Sequence, residues 1–215
     1  MGKIVDTERK YRPRNLDEYV FPNEEVREVA MAYGSGEVTR PLILSGTNGS
    51  GKTLLAELIP QQIEGCAAIV NKVNSYDLNS NKEVERHFTR NKQFDKLFTT
   101  NNQRYNYHVI EEVNFEGKAS DAFRVSLDDF RGVDMTIMTT NALEKIDIGV
   151  RSRCEVLHVP PCSPTTFLPR AKQIIEAEGY GIDDDTLLSA LETAYEVKAD
   201  NRNYYKTLDE ILRKA

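Results

Sequence analysis

The sequence predicts an α/β architecture: a five-stranded parallel sheet covered by helices on two faces, followed by a small unit of three helices. Two observations carry this expectation. Between about residue 40 and residue 160, short apolar runs alternate with stretches of helical period. Strands buried on both faces and separated by helices build a parallel sheet. After Pro160-Pro161 the apolar positions fall at helical spacing only, with no intervening strand, which is the pattern of a small bundle. The division is placed at 1–160 and 161–215.

The five candidate strands are Leu42-Ile43-Leu44, Ala67 to Val70, Tyr107 to Val113, Met135 to Met138 and Val156 to Val159. Helical stretches lie near 52–63, 82–98 and 121–131, and in the last Phe123, Leu127 and Phe130 share one face. The second unit reads as helices from Pro164 to Glu178, Asp184 to Glu196 and Asn201 to Lys214. Their stripes are Phe167/Ala171/Ile174, Leu187/Leu191/Ala194 and Tyr204/Leu208/Ile211. Stripes of this kind make bundle core rather than ligand contacts.

Composition narrows the function. A chain of 215 residues buries one good core plus a satellite, and 40% apolar with 29% charged residues excludes a disordered chain. There is no apolar run of about 18 residues, and the first 14 residues hold no signal-peptide core. The expectation is a cytoplasmic protein with no membrane partner. The net charge of −6 excludes bulk attraction to nucleic acid. Even so, residues 1–14 gather Lys3, Arg9, Lys10, Arg12 and Arg14, and Asp183-Asp184-Asp185 lies near the other end. Cys66, Cys154 and Cys162 form no disulfide framework or Cys-x-x-Cys pair and read as buried apolar residues. His87, His108 and His158 are scattered, and the latter two suit core or edge positions rather than a metal site.

Chemistry enters at Gly46-Thr47-Asn48-Gly49-Ser50-Gly51-Lys52-Thr53, which fits G-x-x-x-x-G-K-[ST] in full. An apolar strand precedes it, and Leu54, Leu55, Leu58 and Ile59 follow in helical register, the context of a phosphate loop. Glycines let the backbone wrap an anion with its N–H groups turned inward. The helix beginning near Lys52 adds the positive end of its dipole. Lys52 would reach the β- and γ-phosphates of ATP, and the Thr53 hydroxyl would hold Mg²⁺. Hydrolysis also needs an acidic strand end, which Tyr107-His108-Val109-Ile110-Glu111-Glu112 supplies. Adjacent strand residues point to opposite sides, so Glu111 would face the metal while Glu112 polarises the attacking water.

With these motifs the chain resembles AAA+ ATPases, a P-loop NTPase family, and within them the small ATPase subunits of sliding-clamp loaders of the replication factor C type. The similarity runs from Lys10-Tyr11-Arg12-Pro13 to Arg202. The opening tetrapeptide, with Leu16 to Val20, is similar to the segment that packs beside adenine, implying contacts from Tyr11, Pro13 and Val20. Glu111-Glu112 resembles the second Walker motif, with Glu111 standing where the family usually has Asp. Thr139-Thr140-Asn141 is similar to the first sensor, which makes Asn141 a holder of the lytic water or γ-phosphate. Ser152-Arg153-Cys154 is similar to the triplet whose arginine reaches into a neighbouring subunit's site, with Arg151 as the nearby competitor. Arg202 resembles the second sensor, and Arg124 and Arg131 stand where clamp loaders couple subunits.

The resemblance implies a homo- or hetero-oligomer assembled through the ATP site, with DNA and a sliding clamp or helicase as partners. The polar stretch Asn74 to Lys82 stands where family members approach DNA. Clamp-loader subunits continue into a helical collar, whereas this sequence ends at Ala215. Assembly is therefore expected to rest on ATP-bridged contacts. A helicase loader, an AAA+ machine acting on protein, and an ATP-gated binding module with little turnover share the same nucleotide residues. A small nucleotide kinase suits the length, but kinases of that type commonly begin with the P-loop strand and make no use of an arginine aimed across a subunit boundary.

Overall fold

The computed structural model describes residues 6–65, 68–98, 103–114, 118–129 and 132–214. Expectations resting on Lys3, Cys66, Ala67, Phe130 and Arg131 lie outside the described residues. The helices are α1 (Thr7–Lys10), α2 (Glu24–Gly34), α3 (Lys52–Glu64), α4 (Asn81–Phe98), α5 (Lys118–Asp129), α6 (Ile148–Arg151), α7 (Pro164–Ala177), α8 (Asp184–Val197) and α9 (Asn201–Lys214). The strands are β1 (Leu42–Ser45), β2 (Val70–Asn74), β3 (Asn106–Glu111), β4 (Asp134–Thr140) and β5 (Glu155–His158). They form one sheet in the order β2-β3-β4-β1-β5, and every pairing is parallel.

Alternation along the central strands sends side chains to two cores. Leu42, Leu44, Tyr107, Val109, Met135 and Ile137 meet α2 and α3 on one face. Ile43, Ile110 and Met138 meet α4, α5 and α6 on the other. This two-sided burial is why β1, β3 and β4 are legible as apolar runs. The second strand differs from expectation: it covers Val70–Asn74 rather than 67–70. As an edge strand it is only half buried, so its polar residues Asn71, Lys72 and Asn74 are tolerated and the apolar run before it is a poor guide. Helix α2 has no counterpart in the sequence reading, although Asn23 caps it through Val26 N and Val26, Ala30 and Tyr33 form its buried stripe.

The last three helices enclose their own core around Phe167, Ile174, Leu191, Tyr204 and Leu208. Ser163 caps α7 with Pro164 following it, and Asp183 caps α8. The N-terminal segment straps this bundle: Thr7 N donates to Asp209 (2.9 Å) and Arg170 donates to the Tyr11 carbonyl (2.7 Å). Cys154 and Cys162 are buried thiols, as expected. His108 is buried, its Nδ1 3.1 Å from His87 Nε2, and His158 is exposed on the edge strand β5. Among the described residues no helix is long and apolar enough to cross a membrane.

Candidate active site

The loop between β1 and α3 hangs from the sheet, where Gly46 N donates to Thr140 O (3.2 Å). Gly49 and Gly51 hold left-handed backbone at φ 78° and 98°, a region that L side chains rarely adopt. The space around both is also closed. A Cβ on Gly49 would lie 1.7 Å from the Asp200 carboxylate, and one on Gly51 would lie 2.6 Å from the Tyr19 hydroxyl. Helix α3 starts at Lys52 with no side chain capping its first amides, so those N–H groups point into the loop.

Lys52 is buried, and its ammonium donates to the carbonyls of Gly46 (2.8 Å) and Thr47 (2.6 Å). Burial pushes its pKa down to about 8, with the Arg202 guanidinium adding to the effect and Asp200 opposing it. The same loop buries the Ser50 hydroxyl without a hydrogen-bond partner.

Strand β3 delivers the acids. Glu111 ends the strand and shares its face with Val109, toward α3. Its carboxylate lies 3.2 Å from the Lys72 ammonium. Glu112 follows at φ 53°, the one non-glycine residue with positive φ among those described. Its backbone is held on both sides, by Ser75 Oγ donating to its carbonyl (2.6 Å) and by its own N–H donating to Thr139 Oγ1 (3.3 Å). A left-handed glutamate costs about 1–2 kcal/mol, and the hydrogen bonds hold it there. From β4, Asn141 donates to Asn48 of the loop (2.6 Å).

The helical unit closes the cleft from above. Asn201, first residue of α9, donates its backbone N–H to Gly49 O (3.2 Å) and its amide to Ser50 O (3.2 Å), and it accepts from Cys162 N (2.9 Å). Asp200, almost fully buried, accepts from Arg202 N (2.9 Å) and pairs with Lys198 (3.1 Å). The cleft measures about 300 Å³. Asn48, Gly49, Gly51, Lys52, Thr53, Glu111, Glu112, Asn141 and Arg202 line its polar end, and Pro13, Tyr19, Val20, Leu54 and Phe167 its apolar end.

The structure therefore brings most of the sequence-derived site together. Four residues sit apart. Tyr11, expected to contact the base, does not line the cleft: its hydroxyl donates to Glu178 (2.8 Å) and its ring packs on the core of the last three helices. Pro13 and Val20 do line the cleft. Arg153 lies outside it, donating to Asp128 (2.8 Å) and to Gly149 O (2.8 Å). Arg124 is nearby, within reach of Asp121 and of Asp147 (3.6 Å). The Arg151 Nε is buried without a hydrogen-bond partner. Sequence reasoning did not single out Tyr19, Lys72, Phe167, Asp200 and Asn201. Tyr19 lay within the Leu16 to Val20 segment, and the Asp-Asn pair stood beside Arg202 at the start of a helix; Lys72 and Phe167 left no such signal.

Residues 42–160 match the family described as the ATPase family associated with various cellular activities, AAA. A replication factor C small subunit from Picrophilus torridus is 28% identical over 181 residues, 83% of this chain and 56% of the relative. One from Thermofilum pendens is 27% identical over 202 residues, 93% of this chain and 60% of the relative. The chain thus spans somewhat over half the length of these curated relatives. The Thermotoga maritima RuvB Holliday junction branch migration motor superposes with a TM-score of 0.69 at 16% identity, covering 94% of this chain and 65% of that one. Its P216G mutant gives 0.71, also at 16% identity, covering 93% and 65%. At that identity the likeness concerns the fold alone.

Proposed function

The chain belongs to the AAA family of ATPases, and from that premise we propose that it binds Mg·ATP in the cleft, hydrolyses it with help from a neighbouring subunit, and acts on DNA as a clamp-loader-like module. One observation carries the reading: the phosphate loop, the two acids ending β3, Asn141 and Arg202 line a single cleft.

The residues fit a triphosphate with its metal. A side chain at Gly49 or Gly51 would collide with Asp200 or Tyr19, so the loop keeps bare backbone there, and the buried Ser50 hydroxyl of the same loop has no hydrogen-bond partner. Thr53 and Glu111 are hard oxygen donors of the kind Mg²⁺ takes. Among the described residues no three His, Cys, Asp or Glu side chains are arranged to hold an ion by themselves, so phosphate oxygens would complete the coordination. When bound, the metal neutralises charge on the phosphates and helps orient them.

The chain's own groups would do the rest. Lys52 would exchange its two loop carbonyls for phosphate oxygens, a stronger charge-assisted pairing. Glu112 would accept a proton from the attacking water, and Asn141 would hold that water or the γ-phosphate. Arg202, on the same helix as the Asn201 clamp, would report phosphate occupancy to the helical unit. The base would rest at the apolar end among Pro13, Tyr19, Val20, Leu54 and Phe167. Arg153 faces away from its own cleft, which suits a guanidinium offered to the site of an adjacent subunit. There it would stabilise charge on the transferring phosphoryl group.

The replication factor C relatives favour a DNA transaction over action on protein. A second reading, an ATP-gated binding module with little turnover, draws on the pairing of Glu111 with Lys72. Equilibrium binding of a fluorescent ATP analogue to wild type and Lys52→Ala tests the first claim, and unchanged affinity in the variant refutes it. Phosphate release measured with and without primed DNA tests the second. Steady release raised by primed DNA supports the clamp-loader-like reading, and the absence of any release leaves the binding module.

A further inference from the structure

Glu111 does not stand alone at the end of β3. The parallel register aligns Asn74 with Glu111 and Lys72 with Val109, so Lys72 lies on the same face of the sheet as Glu111, one step back along the edge strand. Its ammonium sits 3.2 Å from Glu111 Oε2 and 2.7 Å from Glu57 Oε1 on α3. The other oxygen of Glu57 accepts from Arg12 (2.6 Å). Four charged side chains from the N-terminal segment, α3, β2 and β3 therefore form one continuous chain, Arg12–Glu57–Lys72–Glu111, whose two ends, Arg12 and Glu111, line the cleft.

We propose that Lys72 is a positioning residue that competes with the divalent metal for Glu111, and that Glu57 is the group onto which Lys72 withdraws. The inference rests on the Mg·ATP reading above and deepens it by assigning a control on metal loading. The physical reason is direct. A carboxylate oxygen bonded to an ammonium is a poorer acceptor for a metal-bound water, and a fixed cation a few ångströms away repels a dication. Lys72 need not be released into solvent when the metal arrives, because its shorter bond is to Glu57. Lys72 is 42% exposed, so solvent screens the competition and the effect is modest.

The longer side chain of Glu111 makes the exchange feasible. Its extra methylene, relative to aspartate, lets one carboxylate turn toward Lys72 on the neighbouring strand or toward Thr53 across the cleft. Apart from these two ion pairs Lys72 contributes little to the fold, since it is an exposed residue of a half-buried edge strand. Replacing it leaves the sheet pairings in place.

The test measures ATP-analogue affinity with Mg²⁺ and with EDTA and takes the ratio of the two, a binding readout that needs no turnover. Lys72→Met should raise the Mg²⁺ preference about three- to tenfold, while Lys72→Arg retains the wild-type ratio. Glu57→Gln should move it the opposite way, because Lys72 then has only Glu111 to pair with. In a Glu111→Gln background, Lys72→Met should change the ratio less than about twofold. An unchanged or lowered ratio in Lys72→Met, or a rise that persists without the Glu111 charge, overturns the proposal. If the wild-type protein shows no saturable binding at all, the phosphate-loop reading falls and takes this inference with it. Saturable binding with a flat ratio removes the Lys72 role alone.

Discussion

Asn201 joins the helical unit to the phosphate loop, and its removal has a cost that can be worked from its partners. In Asn201→Ala the Cys162 N–H, which belongs to a fully buried residue, loses its 2.9 Å acceptor. An unsatisfied buried donor costs about 1–3 kcal/mol. The 3.2 Å bond to Ser50 O also goes, a further ~1 kcal/mol. The backbone bond from Asn201 N to Gly49 O survives. The total is about 2–4 kcal/mol, which for a chain of this size lowers the melting temperature by on the order of 10 °C. Asn203→Ala is the control: it lies on the same helix and loses an amide bond of 3.1 Å, but to the carbonyl of Lys198 at the surface. That change should cost no more than about 0.5 kcal/mol. Thermal unfolding followed by circular dichroism reads both. If Asn201→Ala melts within about 1 °C of wild type, or Asn203→Ala falls as far, the clamp is not holding the two units together.

Three further outcomes follow from the site. Glu112→Asn should abolish phosphate release yet stabilise the fold by about 0.5–1 kcal/mol, because Asn tolerates the left-handed backbone that Glu112 adopts at φ 53°; a lowered urea midpoint counts against strain at that residue. Arg153→Ala should bind ATP normally but lose about 10³-fold in turnover, and wild-type turnover per chain should climb with protein concentration; full activity in dilute mutant protein excludes a role in trans. The Cys154 and Cys162 thiols are both pushed up to about 12 by burial. Burial disfavours the thiolate, so at pH 8 alkylation of the native protein should run about a thousandfold slower than for an ordinary thiol. Peptide mapping after brief iodoacetamide treatment checks this, and rapid labelling of either residue contradicts it.

The parts of the site legible in sequence are those whose chemistry fixes local spacing. Phosphate cradling needs glycines and a lysine at set intervals, so residues 46–53 can be read without any fold. Glu111 and Glu112 are legible because a central strand must be apolar until it leaves the sheet. Lys72 is not, because what pairs it with Glu111 is the register between β2 and β3, and sequence does not display register across an intervening helix. Asn201 is hidden for a similar reason, its partners Gly49 and Ser50 being reached only when α9 docks on the loop. The position of Tyr11 is likewise set by contacts that the sequence does not display. An aromatic ring two residues before Pro13 suits a base contact equally well, but the strap formed by α1 turns it onto the helical unit. Helix α2 shows a different failure: its cap and stripe are present in the sequence, and an apolar period of only three buried turns was insufficient to stand out.

Opposite charges from two parts of the chain meet at the phosphate loop. Lys52 is a buried cation whose pKa is displaced downward by burial and by Arg202, and Asp200 is a buried anion that approaches the loop at Gly49. The two opposite charges come from different units of the chain, one at the start of α3 and the other just ahead of α9. On the proposed reading, an arriving polyphosphate adds negative charge beside Asp200 and supplies Lys52 and Arg202 with better partners. It therefore strengthens the hold of the loop on the two cations while weakening its tolerance of the acid. The helical unit carries both Asp200 and Arg202, so on that reading it is drawn to the phosphates through Arg202 and repelled through Asp200, whose charge Lys198 (3.1 Å) offsets in part. Asp200→Asn separates the two contributions, because it keeps the side-chain oxygen that accepts from Arg202 N (2.9 Å) and removes the charge. This variant should bind ATP more tightly and respond to it with a smaller movement of the helical unit, measured as the change in distance between labels on α5 and α8; unchanged affinity refutes the repulsion by Asp200.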